Sequence, residues 1–238
     1  AEKSFHFING WFAQRYYDIA KSLGKQPEFV SAEFGKSFNY ESITIPDNTE
    51  LVCITHNETS TGTVFNVDNI HKIKQSNPNI IIAVDAVTSL PYYTFEYSNI
   101  DVLFFSVQKG FGLPPGLGIM LCRKSLIDKS SSLSNKGYII GSYNNFLKLA
   151  ANADKNQTTM TPNIPAIYLL GRVCNDLLNK GLDIIRQETE KKANLIYSFF
   201  DKHPNIKPFV KDSNLRSKTT IVLESNVDSE ERRVGKEC

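Results

Sequence analysis

Ile80-Ile-Ile-Ala-Val-Asp85 and Val102-Leu-Phe-Phe-Ser106, the latter running on into Val107-Gln-Lys-Gly110, decide how this chain is read. Both are short, rich in Ile, Val, Leu and Phe, and lack a polar–apolar alternation. That is the pattern of strands covered on both faces, as in a mostly parallel sheet. Outward from them, Phe5–Ile8, Leu51–Thr55, Gly118–Cys122 and Thr220–Leu223 read as further strands. Helical patterns lie between. Phe12–Leu23 has apolar and aromatic residues at helical spacing and stops at Gly24, while Val67–Gln75 follows the N-cap residue Asn66 and stops before Pro78. Alternating strands and helices predict an α/β fold.

After Ser125 the pattern changes. A polar stretch, Asp128–Lys136, is expected to lead into a loop around Thr158–Pro165. Two longer helices follow, Ala166–Asn179 and Leu182–His203, the second with Ile185, Thr189, Ala193, Ile196 and Phe200 near one face. The strand at Thr219–Leu223 then opens a smaller α+β unit. The expected organisation is residues 1–165 as part of a large α/β domain, 166–228 as linking helices and the start of a small domain, and 229–238 as a non-native tail. That tail, Ser229-Glu-Glu-Arg-Arg-Val-Gly-Lys-Glu-Cys238, breaks the preceding pattern and resembles a translated sequencing adapter. The chain begins at Ala1 rather than Met, which raises the expectation of further chain upstream.

The polar residues fall at strand ends. Leu51–Thr55 runs into His56-Asn57-Glu58-Thr59, the second strand ends in Asp85, and the third in Gln108-Lys109. In open α/β sheets, ligands bind outside the carboxyl ends of the strands, so these groups are expected to share one crevice. Asp85 is costly to bury without a cation. Lys109 lies in a Gly/Pro-rich loop that can turn sharply and let a ligand approach closely. Taken alone, neither residue decides the matter. A lysine after a strand is usually solvated, and an aspartate there is usually a turn residue or a helix cap. Trp11 and Phe12, on general grounds, are core residues more often than ligand contacts.

Several functions are excluded. With 27 Lys+Arg against 25 Asp+Glu, the net charge of +2 offers no basic stripe for nucleic acid or charged tail for a membrane surface. No apolar run reaches the ~20 residues of a membrane span. The four histidines are scattered without metal-ligand spacing, so no metal is expected. Cys53, Cys122 and Cys174 sit among apolar neighbours, predicting buried free thiols in a reducing cytoplasm. A dinucleotide fingerprint starting at Gly110 fails at Pro115, and a phosphate loop ending at Gly35-Lys36-Ser37 fails at Val30.

Five segments, in order, carry a resemblance: Asn9-Gly-Trp-Phe-Ala-Gln-Arg15, Thr55-His-Asn-Glu-Thr-Ser-Thr-Gly62, Val84-Asp-Ala-Val-Thr-Ser-Leu90, Ser106-Val-Gln-Lys109 and Met160-Thr-Pro-Asn163. Together they resemble the class V aminotransferases of pyridoxal phosphate (PLP) fold type I. The resemblance implies a mostly parallel sheet flanked by helices, with a smaller α+β domain. It implies catalytic roles for Lys109, as the Schiff-base lysine, and for Asp85, as partner of the pyridine nitrogen. Phe12 would stack on the cofactor ring, Thr59 would bond its phenolic oxygen, and Gln108 its phosphate. Thr161 would reach the phosphate in the other subunit, so a homodimer with shared active sites is implied. Amino acids and 2-oxo acids would be the substrates, and the cytoplasm the location.

The resemblance also implies a phosphate cup upstream and a substrate-carboxylate arginine near the family's C-terminus, and Arg216 is not that arginine. Residues 1–238 alone are therefore expected to turn over poorly. Leu215–Val222 resembles the phosphoserine branch of the family. The stretches around Asn9 and Asp85, with Pro114-Pro115-Gly116, lean towards the alanine–glyoxylate and serine–pyruvate branch. The expectation favours the phosphoserine branch. The alternatives are the other branch, a lyase or desulfurase of the same fold, and an inactive binding homologue.

Overall fold

A computed structural model of the chain describes residues 1–138 and 141–226; the proposed tail, residues 229–238, lies outside the described residues. The strands are β1 (Lys3–Ile8), β2 (Gln26–Ser31), β3 (Leu51–Thr55), β4 (Asn57–Glu58), β5 (Thr63–Val64), β6 (Ile81–Asp85), β7 (Val102–Ser106), β8 (Gly118–Cys122), β9 (Ile206–Pro208) and β10 (Leu223–Ser225). The helices are α1 (Trp11–Ser22), α2 (Val67–Ser76), α3 (Lys124–Asn135), α4 (Phe146–Ala153), α5 (Ile164–Lys180) and α6 (Leu182–Lys202).

Six strands form the main sheet in the order β2-β1-β3-β6-β7-β8. All neighbours pair in parallel except β7 and β8, which are antiparallel. The inner strands β3, β6 and β7 are apolar up to their last residue because both faces are covered. Phe5, Phe7, Val52, Ile54, Ile82, Val84 and Leu103 pack there with Phe65, Ile70 and Ile73. Each such side chain, fully buried, contributes ~1.5–3 kcal/mol.

The connection after β1 leads outward to β2, whereas the connection after β3 leads the other way, to β6. Neighbouring strands whose connections diverge open a crevice at their carboxyl ends. Thr55 is paired with Asp85, and Asp85 with Phe104, so the ends of β3, β6 and β7 lie side by side at that edge.

Several sequence expectations need correcting. The strand expected at Thr219–Leu223 is instead Leu223–Ser225, paired antiparallel with β9. Residues 217–220 are held by side-chain bonds, including the Ser217 hydroxyl accepting from the Thr219 and Thr220 N–H groups. Most of the polar stretch Asp128–Lys136 belongs to a helix, α3, in which only Ser130 is buried. On α6 the buried positions are Ala193 and Tyr197, and Ile196 faces outward. Cys53 is buried as expected, but Cys122 is exposed on the edge strand β8 and Cys174 is half-buried.

Candidate active site

Three loops meet at the carboxyl edge of the sheet, and the sequence shows why each turns there. After β3 the chain makes a small ribbon, β4 and β5, closed by Gly62 at a φ of 72°. After β6 a turn forms in which the Val87 N–H donates to Asp85 Oδ1 at 2.9 Å. After β7 the Gly112 N–H donates to the Lys109 carbonyl at 3.0 Å, with Gly112 at a φ of 66°. The two last loops touch at Gly110, where an added Cβ would lie 2.2 Å from the Leu90 carbonyl oxygen.

Asp85 is half-buried, and among the described residues it takes part in no ion pair. Burial pushes its carboxyl from the ordinary 3.8 up to about 6; the Val87 N–H opposes the shift, and the negative charge of Glu58 adds to it. The main chain of Asp85 is tied to β3 as well, its carbonyl accepting the His56 N–H at 3.0 Å.

Thr59 is joined to the Asp85 turn by a hydroxyl pair with Thr88, Oγ1 to Oγ1, at 3.0 Å. Asn57 braces Thr88: its Nδ2 donates to Thr88 Oγ1 at 2.7 Å, and the Thr88 hydroxyl donates to the Asn57 carbonyl at 3.1 Å. The same amide donates to the hydroxyls of Thr219 and Thr220, at 3.2 and 3.3 Å. The segment leading to the second sheet thus ends at this cluster.

Gln108 and Lys109 are exposed just past Val107, which is fully buried and anchors the loop. Phe12 stands on the first turn of α1 with its side chain about half exposed. The general expectation that Trp11 and Phe12 are core residues is therefore not met. The Phe12 N–H donates to Glu58, the residue before Thr59, at 3.3 Å. The fold thus brings Phe12, Thr59, Asp85, Gln108 and Lys109 to one edge. Thr161 is not joined to this cluster; it is exposed in the loop before α5.

Two residues of the strand-end cluster, His56 and Glu58, had no individual role assigned from the sequence. His56 is fully buried between the rings of Tyr93 and Phe95, at 4.7 and 4.8 Å, with Nδ1 2.8 Å from the Ser89 hydroxyl. Burial lowers its pKa from 6.5 to about 3, so the ring is neutral. Glu58 is fully buried against α1. Its place three residues past the apolar strand β3 was the available signal; its partners Phe12 and Ala13, 46 and 45 residues away in sequence, had none.

Among the described residues, no helix is long and apolar enough to cross a membrane, and no group of three or more His, Cys, Asp or Glu is placed to hold a metal ion.

The chain is similar to a phosphoserine aminotransferase of known structure from Cytophaga hutchinsonii, at 42% identity and a TM-score of 0.93, over 98% of this chain and 64% of that one. It is 28% identical to the phosphoserine aminotransferase of Rhodococcus opacus, over 96% of this chain and 61% of that protein. It is 30% identical to alanine–glyoxylate aminotransferase 1 of Saccharomyces cerevisiae, over 73% of this chain and 48% of that protein. The chain therefore spans less than two thirds of the length of these relatives. The family model for class-V aminotransferases matches residues 20–233, and the chain belongs to the class-V aminotransferase family.

Proposed function

We propose that these residues form most of the cofactor-binding domain of a PLP-dependent aminotransferase. The observation that carries this reading is Asp85: a half-buried carboxylate at a central strand end, without an ion pair among the described residues, beside the Thr59 and Lys109 loops. An acid pushed up to about 6 in a crevice suits a cationic occupant. A protonated pyridine nitrogen is such a cation, and the hydroxyl, aromatic and amine groups nearby suit the rest of the ring. The residues present therefore fit PLP at its ring end, and Gln108 and Thr161 are the candidates for its phosphate.

When bound, the cofactor supplies the electron sink that lets a substrate Cα–H bond ionise. Asp85 would be the partner that keeps a proton on the ring nitrogen. Thr59 would hold the ring through its phenolic oxygen, and Phe12 would cover one face. Lys109 would be the residue that holds the cofactor, through its Nζ. With its amine free, Lys109 would serve as the base for the substrate Cα proton. Thr161 acts across a homodimer, and the division at residues 165 and 228 belongs to this same proposal, as does a cytoplasmic location.

The amino donor is proposed to be a phosphoserine-class amino acid, with a 2-oxo acid as acceptor. The 42% identity to the Cytophaga enzyme supports it. Alanine–glyoxylate transfer is the second reading, supported by the 30% identity to the yeast enzyme. Product analysis of the intact protein tests both, with O-phosphoserine, alanine and serine each offered with a 2-oxo acid. Amino transfer from O-phosphoserine supports the first reading, transfer from alanine or serine alone supports the second, and elimination products overturn both.

A further inference from the structure

We infer that Glu58 is a positioning residue: its buried carboxylate clamps the first turn of α1, which carries Phe12, onto the ribbon turn that carries Thr59. The inference rests on the proposed function, since it gives these two residues contacts to one ring.

The geometry is specific. Glu58 Oε2 accepts the Ala13 N–H at 2.9 Å. Its Oε1 accepts the Phe12 N–H at 3.3 Å, the Ser60 N–H at 3.0 Å and the Ser60 hydroxyl at 2.7 Å. Ser60 Oγ in turn accepts the Trp11 N–H at 3.0 Å. The first three amides of α1 are thereby satisfied from a loop distant in sequence. The helix has no local alternative, because its N-cap is Gly10, which offers no side chain, and its first turn contains no acid.

Gly10 is part of the same device. A Cβ at this position would lie 2.3 Å from Glu58 Cγ, 2.5 Å from Cδ and 2.6 Å from Ser60 Oγ. The glycine leaves the space that the carboxylate fills.

Glu58 is fully buried, and among the described residues no lysine or arginine pairs with it. Burying a lone carboxylate is costly. Here four donated hydrogen bonds and the positive end of a helix offset that cost. An uncharged cap such as Asn or Ser at residue 10 would stabilise the helix without burying a charge. What the buried carboxylate adds is a rigid link between Phe12 and Thr59. It also places a second negative charge near Asp85, where its field raises the affinity of that group for a proton.

The test compares PLP binding by the intact protein, Glu58→Gln, and Asn66→Ala as a control that removes a cap at α2, away from this link. Two quantities are read: the Kd for PLP, and the visible circular dichroism of bound PLP, which reports ring orientation. Glu58→Gln is expected to raise the Kd about tenfold and at least halve the dichroism, with borohydride still fixing PLP on Lys109. Asn66→Ala is expected to leave both quantities unchanged. In a Phe12→Ala background, Glu58→Gln is expected to change the Kd less than threefold, because Glu58 acts through Phe12. If Glu58→Gln does not fold, Ser60→Ala is expected to shift both quantities in the same direction, by about threefold in Kd. A wild-type Kd and dichroism in the substituted protein, equal effects from Asn66→Ala, or full additivity with Phe12→Ala would overturn the inference. A wild-type protein that takes no label at Lys109 overturns the proposed function itself, and the inference with it.

Discussion

The hydroxyls of Thr59 and Thr88 lie 3.0 Å apart, and the Thr88 hydroxyl already donates to the Asn57 carbonyl while accepting from Asn57 Nδ2. One hydroxyl has one proton and two lone pairs. With its proton given to Asn57, Thr88 can only accept from Thr59, and in that arrangement the Thr59 oxygen can meet a ring hydroxyl only as an acceptor. Thr88→Val removes the acceptor for Thr59 and the hydroxyl donated to the Asn57 carbonyl, while Asn57 Nδ2 keeps the Thr219 and Thr220 hydroxyls. It is expected to cost about 1–3 kcal/mol of stability and to weaken PLP binding several-fold. Thermal unfolding and absorbance titration check the two effects, and an unchanged PLP affinity would count against Thr59 as a ring contact.

Asp85 makes the protein without cofactor less stable as pH rises. Its carboxyl titrates at about 6 in the folded chain against an ordinary 3.8. The folded state therefore holds the proton more tightly. That contribution is complete below about pH 4 and is lost as pH rises through about 6. Asp85→Asn keeps an acceptor for the Val87 N–H but removes the charge. At about pH 7.5 the cofactor-free variant is expected to be more stable than wild type by on the order of 1–3 kcal/mol. The difference should vanish near pH 4, and PLP affinity should fall at least tenfold. Denaturant unfolding at both pH values checks the sign; a variant less stable at neutral pH contradicts it.

Gly110 is where the Lys109 loop meets the Asp85 loop. A Cβ would sit 2.2 Å from the Leu90 carbonyl oxygen, a backbone atom that cannot swing aside. Gly110→Ala is expected to cost a few kcal/mol and to lower borohydride labelling of Lys109 several-fold. Gly112→Ala serves as a comparison, since a Cβ there meets nothing within 4 Å and only its φ of 66° opposes the change. Equal labelling in Gly110→Ala and wild type would show that this contact does not position Lys109.

Arg216 is fully engaged within the fold. Its guanidinium holds both carboxylate oxygens of Asp201 at 2.8 Å and lies over the Tyr197 ring at 4.9 Å, and its Nε donates to the Val210 carbonyl. Arg216→Ala is expected to destabilise the protein by about 1–3 kcal/mol. The KM for the amino donor should change less than threefold. A rise of a hundredfold would mark it as a substrate-carboxylate ligand instead.

What the sequence revealed follows from what was locally encoded. Inner strands such as Leu51–Thr55 and Val102–Ser106 were legible because burial on both faces makes them continuously apolar. The edge strand β2, Gln26–Ser31, was not, because it is largely exposed and contains Pro27 and Glu28. Helix α3 was legible only as a polar stretch because its Ser-rich surface carries almost no buried face. Helix α4 had a usable signal that went unread: the Asn145 side chain caps the amides of Leu147 and Lys148, ahead of an apolar turn. In the candidate site, strand ends pointed to Thr59, Asp85 and Lys109 as candidates. Glu58 and Gly10 were not identifiable as a pair, because their relationship is steric and spans 48 residues.

The central claim is that Lys109 binds the cofactor, and borohydride reduction of the intact PLP-loaded protein followed by peptide mass analysis tests it most directly. The account predicts one phosphopyridoxyl label, on the peptide containing Lys109, and none in Lys109→Ala. A label on another lysine, or none on the wild-type protein, would contradict it.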